Sequence, residues 1–134
     1  MFVLDASVVA SWCFPDEIHP NSEAALLRIA HESAVVPSLH WLELRDVLLM
    51  GERRNPLTEA QTARFLRYVS ELPIEVDHDP DEAVVLGLAR THRLSVYDAA
   101  YLELAQRSRL ALATLDGALM DVARATKVPL GGQS

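Results

Sequence analysis

One cysteine, Cys13, is present in 134 residues. An internal disulfide is therefore excluded, and the chain fits a reducing compartment. Lysine is almost missing too: Lys127 is the only one. No apolar run approaches the ~20 residues that a membrane-spanning helix requires. The apolar start, Phe2 to Phe14, is interrupted by Asp5 and preceded by no basic residue, the first arginine being Arg28. A secretory leader has a positive region ahead of an unbroken apolar stretch, so none is expected, and the protein is expected to be cytoplasmic with no membrane partner. Basic residues are outnumbered, 12 against 19 acidic, for a net charge of −7. That balance argues against nonspecific nucleic-acid binding through a broad basic face. It leaves open a nucleic-acid enzyme whose carboxylates are neutralised by metal. There is no internal repeat, low-complexity stretch or linker. Half of the residues are hydrophobic, enough for a core without staples, and the length suits one domain over residues 1–134.

Short β-type runs alternate with helical ones. Phe2-Val3-Leu4 reads as a strand ending at Asp5. Asn21 to Glu32 reads as a helix, with Ala24, Leu27 and Ala30 at helical spacing. Ala34-Val35-Val36 is a strand stopped by Pro37, and Ser38 to Arg53 a long helix with Ser38 as N-cap. Thr58 and Gln61 form a capping box for a helix running to about Leu72, before Pro73. Ile74-Glu75-Val76 is a strand. Asp79 then caps a helix with Pro80 at its first position and Glu82 closing the box. Asp98 begins a helix to about Ser108, Leu110 to Thr114 is a strand, and Asp116 caps the helix after it. Val128-Pro129-Leu130 is a candidate last strand. The alternation predicts a three-layer α/β/α sandwich with a mainly parallel sheet, in which ligands bind beyond the carboxyl ends of the strands.

Asp5 and Asp116 fall at that edge, and Asp98 at a helix start. Aspartate is also a preferred N-cap worth roughly 1 kcal/mol, so each of the three, taken singly, reads first as a cap. Capping and catalysis are compatible, since one carboxylate oxygen stays free. Glu43 is harder to explain structurally. Its helix carries Leu39, Trp41, Leu42, Leu44, Val47, Leu48, Leu49 and Met50, and a helix apolar nearly all round is usually buried. A carboxylate inside it is costly unless paired or bound to a metal. Asp46, three residues on, adds repulsion. The alternative is a solvated strip with Arg53 and Arg54 reaching back. Oxygen ligands favour Mg²⁺ or Mn²⁺. Zinc would want close-spaced histidine or cysteine, and the histidines at 19, 31, 40, 78 and 92 are scattered. A hard metal held by carboxylates suits phosphodiester hydrolysis.

In their order and spacing, Val3-Leu4-Asp5-Ala6-Ser7-Val8, Val36-Pro37 through Trp41 to Glu43, Tyr97-Asp98-Ala99-Ala100-Tyr101 and Ala113-Thr114-Leu115-Asp116 resemble the PIN-domain ribonucleases, and within them the VapC toxins of toxin–antitoxin pairs. The resemblance covers nearly the whole chain. It implies an Mg²⁺-dependent endoribonuclease, with Asp5 and Asp98 the most dependable metal ligands and Glu43 and Asp116 completing the site. Ser7 and Thr114 stand where the family often has a hydroxyl; local hydrogen bonding at a helix start or strand end is the alternative. Asp46 departs from the asparagine common three residues after the glutamate. The resemblance also implies an RNA substrate, a cognate antitoxin and a homodimer. Trp12, Phe14, Leu26, Trp41 and Met50 are apolar residues suited to partners, although ordinary core is the expectation for most. Among the basic sets, Arg90 and Arg93 precede the Asp98 segment and are the candidate RNA contacts.

Two other readings compete. A phosphoaspartyl phosphatase or receiver also uses a strand-end aspartate. It wants a well-placed lysine, and the phosphatase a second aspartate where Ser7 stands. A PIN-like module that binds RNA or a partner without cutting is the non-enzymatic reading, motivated by the acidic balance and Asp46.

Overall fold

A computed structural model describes residues 1–14, 16, 19–54 and 56–131. In chain order the elements are β1 (Phe2–Leu4), α1 (Ala6–Ser11), α2 (Pro20–Ile29), β2 (Ala34–Pro37), α3 (His40–Arg53), α4 (Glu59–Ser70), β3 (Ile74–Asp77), α5 (Glu82–His92), α6 (Val96–Ser108), β4 (Leu112–Ala113) and α7 (Gly117–Ala125). The four strands form one sheet in the order β3-β2-β1-β4, and every pairing is parallel. The candidate last strand is reduced to a single parallel bridge, Leu112 to Leu130.

Side chains alternate across a strand, and that alternation builds the layers. Phe2, Leu4, Ala34, Val36 and Ala113 face one side, where they pack with Val8, Val9, Ala25, Ile29, Leu44 and Leu48 of α1, α2 and α3 and with Phe65 and Leu66 of α4. Val3, Val35 and Leu112 face the other, against Tyr101, Leu102, Leu104, Leu119 and Ala123 of α6 and α7 and Leu88 of α5. The result is the α/β/α sandwich. Within it, α6 is the central helix: Ala99 to Ala105 are all buried.

Glu103 is part of that buried run, only 2% exposed, and is held by Arg107 at 2.7 Å, which also reaches Asp77 at the end of β3 at 2.6 Å. This ion network ties α6 to the edge strand.

Several helix starts differ from the expected ones. The start of α3 is Leu39, in helical conformation with no side-chain cap. Ser38 contributes only its carbonyl, to Trp41 N–H at 3.4 Å, so its hydroxyl is not the cap. The cap of α5 is Asp81, which accepts from Val84 N–H at 3.2 Å. Asp79 instead donates its own N–H to Asp77, so the helix starts after Pro80 rather than on it. Ser95 caps α6 and accepts the Asp98 N–H at 3.0 Å; Asp98 therefore lies in the first turn with its carboxylate free of capping. Asp116 is the cap of α7, and the Thr58–Gln61 box is formed.

The helix α3 is not buried all round, as its composition suggested. His40, Leu44, Leu48 and Gly51 turn inward, while Trp41, Leu42, Leu49 and Met50 are exposed. Gly51 has a packing reason: a Cβ there would meet the Phe14 ring at 2.7 Å. No described helix is long and apolar enough to cross a membrane.

Candidate metal centre

All strands being parallel, their carboxyl ends share one edge. Asp5 follows β1 directly, Thr114 follows β4, and α3 starts three residues beyond the end of β2. Asp98, in the first turn of α6, completes the rim. Asp5, Ser7, Glu43, Asp46, Asp98 and Asp116 line one cavity of about 220 Å³ there. Four segments far apart in sequence supply these groups.

Asp5 forms the floor. It is 5% exposed and makes no capping bond to α1. Its Oδ2 instead accepts hydrogen bonds from Ser7 Oγ at 2.8 Å and Thr114 Oγ1 at 2.6 Å. Both hydroxyls are themselves held: Leu115 N–H donates to Ser7 Oγ and Asp116 N–H to Thr114 Oγ1, each at 3.1 Å. The β1–α1 and β4–α7 turns are thus sewn together through one carboxylate. Burial raises the Asp5 pKa above its ordinary value, and the two hydroxyls oppose that rise.

The other acids surround this floor. Asp98 is half-buried, and burial together with the charges of Asp116 and Asp5 pushes it up to about 6. Glu43 is half-buried as well. Burial and the charges of Asp5 and Asp98 raise it, while the Tyr101 hydroxyl beside it favours its charged form. Its Oε1 is buried without a hydrogen-bond partner. Asp116 uses Oδ1 to accept Leu119 N–H at 2.8 Å, which commits one oxygen to capping. Asp46 is exposed on the rim, and no ion pair with Arg53 or Arg54 forms among the described residues. Arg45 turns away onto the Trp41 ring, 3.7 Å from its centroid.

The donors fit a hard divalent cation in kind: four carboxylates, an orphaned buried oxygen, and mutual repulsion that a cation would relieve. Among the described residues no three His, Cys, Asp or Glu side chains converge tightly enough to make a finished cage. The cavity is an open acidic bowl, with room for waters or a substrate oxygen beside an ion. Lys127 lines a different recess, with Arg109 and Leu110, so the lysine a phosphoaspartyl site requires is absent from the bowl.

Arg90, in the last turn of α5, and Arg93, just past its end, lie exposed, six and three positions before the start of α6. Arg93 is the left-handed C-cap, φ 55°. Trp41 and Met50, expected mainly as core, are exposed at 58% and 39%, and Leu26 is at 37%; Trp12 and Phe14 do pack against the core. Leu39, Leu42, Leu49 and Tyr97 line a recess of about 610 Å³ that shares Glu43 and Asp46 with the bowl.

Two residues given no role in the sequence reading sit behind the site. Tyr101 is wholly buried, and its hydroxyl lies 2.9 Å from His40 Nδ1. One signal for them was present. His40 precedes Glu43 by three residues and Tyr101 follows Asp98 by three, which places each pair on one helix face.

A PIN domain family model matches residues 2–125. Members of this family are generally metal-dependent nucleases. No curated protein sequence matches the chain. Among solved structures, it is similar to PAE2754 from Pyrobaculum aerophilum, at 26% identity and TM-score 0.69 over 90% of this chain and 82% of that one. It also shares its fold with FitAcB from Neisseria gonorrhoeae, at 19% identity and TM-score 0.64 over 97% and 96%.

Proposed function

The chain belongs to the PIN domain family, and from that premise we propose that it is an Mg²⁺-dependent endoribonuclease acting as the toxin of a VapC-type toxin–antitoxin pair. One observation carries the nuclease reading: Asp5, Glu43, Asp98 and Asp116 line a single cavity at the carboxyl edge of the parallel sheet. Asp5 and Asp98 are the principal metal ligands, Glu43 and Asp116 complete the set, and Mn²⁺ is the expected substitute. These carboxylates would hold the divalent cation, and the chemistry it would supply there is polarisation of a phosphoryl oxygen and a lowered pKa for a water. Ser7 and Thr114 fix the Asp5 carboxylate, so its free oxygen faces the bowl in one orientation. Asp46 adds a fifth negative group on the rim and draws cations in. Arg90 and Arg93 meet RNA phosphates.

The exposed apolar side of α3, with Tyr97, offers the surface for an antitoxin or a second copy. The toxin assignment rests on the motif resemblance; a neighbouring gene for a small DNA-binding protein is the observation that would support it.

The test is RNA cleavage by purified protein with Mg²⁺ or Mn²⁺, with and without EDTA, beside Asp5→Asn and Asp98→Asn. Cleavage that survives chelation and both substitutions would sink the reading. The openness of the bowl favours one second reading, a PIN module that binds RNA or a partner without cutting. Calorimetry in which the protein takes up no divalent metal selects it.

A further inference from the structure

Beside the bowl lies a recess with apolar walls. Leu39, Leu42, Asp46 and Leu49 recur at spacings of three, four and three residues, which makes one stripe along α3. Tyr97 of α6 lines the same space of about 610 Å³. Leu42 is 67% exposed and Tyr97 57%, so nothing in the fold covers them. Glu43 and Asp46 belong to this recess and to the bowl alike. A group seated in the recess therefore touches the wall of the acidic site.

Tyr97 immediately precedes Asp98 in the first turn of α6. The Ser95 side chain caps that turn and accepts the Asp98 N–H at 3.0 Å, which fixes both residues. Neighbours diverge by about 100° around a helix, so Asp98 lines the bowl while Tyr97 lines the recess next to it. Charge supplies little grip on RNA here. The shared walls are carboxylates, the chain carries −7, and the Arg45 guanidinium is spent on the Trp41 ring and the Trp41 carbonyl. What the recess offers is an aromatic face and leucine side chains. That suits a flat group tethered to a phosphate, and every nucleobase has a π-face to stack.

We propose that an unpaired nucleobase of the RNA, from a nucleotide flanking the scissile phosphate, stacks on Tyr97 against Leu42 and Leu49. The proposal rests on the bowl being the divalent-metal ribonuclease site. It makes Tyr97 a substrate-binding residue and gives an acidic protein a hold on RNA that does not depend on charge. A base within a duplex is already stacked and paired, and does not enter. A protein partner on the same side of α3 covers the recess, so the two occupants exclude each other.

A pool of unstructured RNA oligonucleotides first locates the cut made by the parent in Mn²⁺. The best substrate is then remade with an abasic site at each position in turn. The series is cut by the parent, Tyr97→Ala and Tyr97→Phe. In the parent, one abasic position next to the cut should raise KM about 10-fold, with kcat little altered. Tyr97→Ala should raise KM for the intact RNA by the same factor and be indifferent to that abasic site, because ring and base act as one pair. Tyr97→Phe keeps the ring face and should behave as the parent does. The Tyr97→Ala loss should be the same at low and high salt. Melting temperature, and Mn²⁺ affinity by calorimetry, should not move, because the ring is exposed and holds no metal.

An unchanged KM in Tyr97→Ala overturns the proposal, and so do losses that multiply when Tyr97→Ala meets the abasic RNA. A fall in Mn²⁺ affinity overturns it too, since the ring then supports the fold of the bowl. Light scattering that shows a parent dimer dissociated by Tyr97→Ala has the same force, because the ring is then a contact between copies. A parent that binds Mn²⁺ but cuts no RNA overturns the nuclease reading alone; the abasic series, made on the tightest-binding member of the pool and read by fluorescence anisotropy, still decides the base subsite. A parent that neither cuts nor binds RNA overturns both.

Discussion

Replacing Thr114 with valine keeps the side-chain shape and deletes one hydroxyl. In the structure that hydroxyl donates to Asp5 Oδ2 at 2.6 Å and accepts the Asp116 N–H at 3.1 Å. A hydrogen bond to a charged group contributes about 1.5–3 kcal/mol, and a neutral one about 1 kcal/mol. Asp5 is buried, so water is a poor replacement. Burial already raises its pKa, and Thr114 opposes that rise. Removing Thr114 therefore raises the folded-state pKa further above the unfolded value. The added penalty is absent in acid, where Asp5 is protonated in both states, and develops as pH rises above the ordinary carboxylate range. Thr114→Val should cost about 2–3 kcal/mol near pH 8 in EDTA and about 1 kcal/mol near pH 4. At roughly 3 °C per kcal/mol for a chain of this size, the melting temperature near pH 8 falls by about 6–9 °C. Urea unfolding of the two proteins at both pH values measures the difference. A cost that is equal at the two pH values would refute the claim that Thr114 stabilises the charged form of Asp5.

Asp98→Asn should stabilise the metal-free protein near pH 8. Its folded pKa of about 6 stands above the ordinary value of 3.8, so the carboxylate destabilises the fold as pH rises through that window, and the advantage of the variant vanishes near pH 4. Added Mg²⁺ should reverse the order at the higher pH; thermal melts in EDTA and in Mg²⁺ check both. Arg107→Met strands Glu103 in the core and should cost about 3 kcal/mol, the lower end for a broken buried pair because Arg107 borders solvent. The further change Glu103→Leu should recover most of it in a denaturant melt, with cleavage per folded molecule unaltered. Removing both Arg90 and Arg93, the latter as Arg93→Gly to keep its left-handed backbone unstrained, should lower the slope of log affinity against log salt by about 1.4 for single-stranded RNA; an unchanged slope removes them from the interface.

The one-dimensional pattern determined the alternation of strands and helices, because a strand buried on both faces and a capped helix leave local signatures. Phe2–Leu4 with its apolar residues, Thr58 with Gln61, and Asp116 ahead of an amphipathic run are of this kind. It placed Asp5 and Asp116 at strand ends for the same reason. It misassigned the caps of α3, α5 and α6, since Ser38, Asp79 and Asp98 are capping types that lie near the right place, and only backbone direction selects Leu39, Asp81 and Ser95. It read α3 as buried all round because composition does not reveal which apolar residues have a neighbour. What only the tertiary structure decided is convergence. Parallel pairing of β1 with β2 and β4 brings distant segments to one edge, so that Thr114 meets Asp5 across 109 positions and His40 meets Tyr101 across 61. Those contacts join segments that have no local preference for each other; the sheet creates them, and with them the bowl that holds the acids.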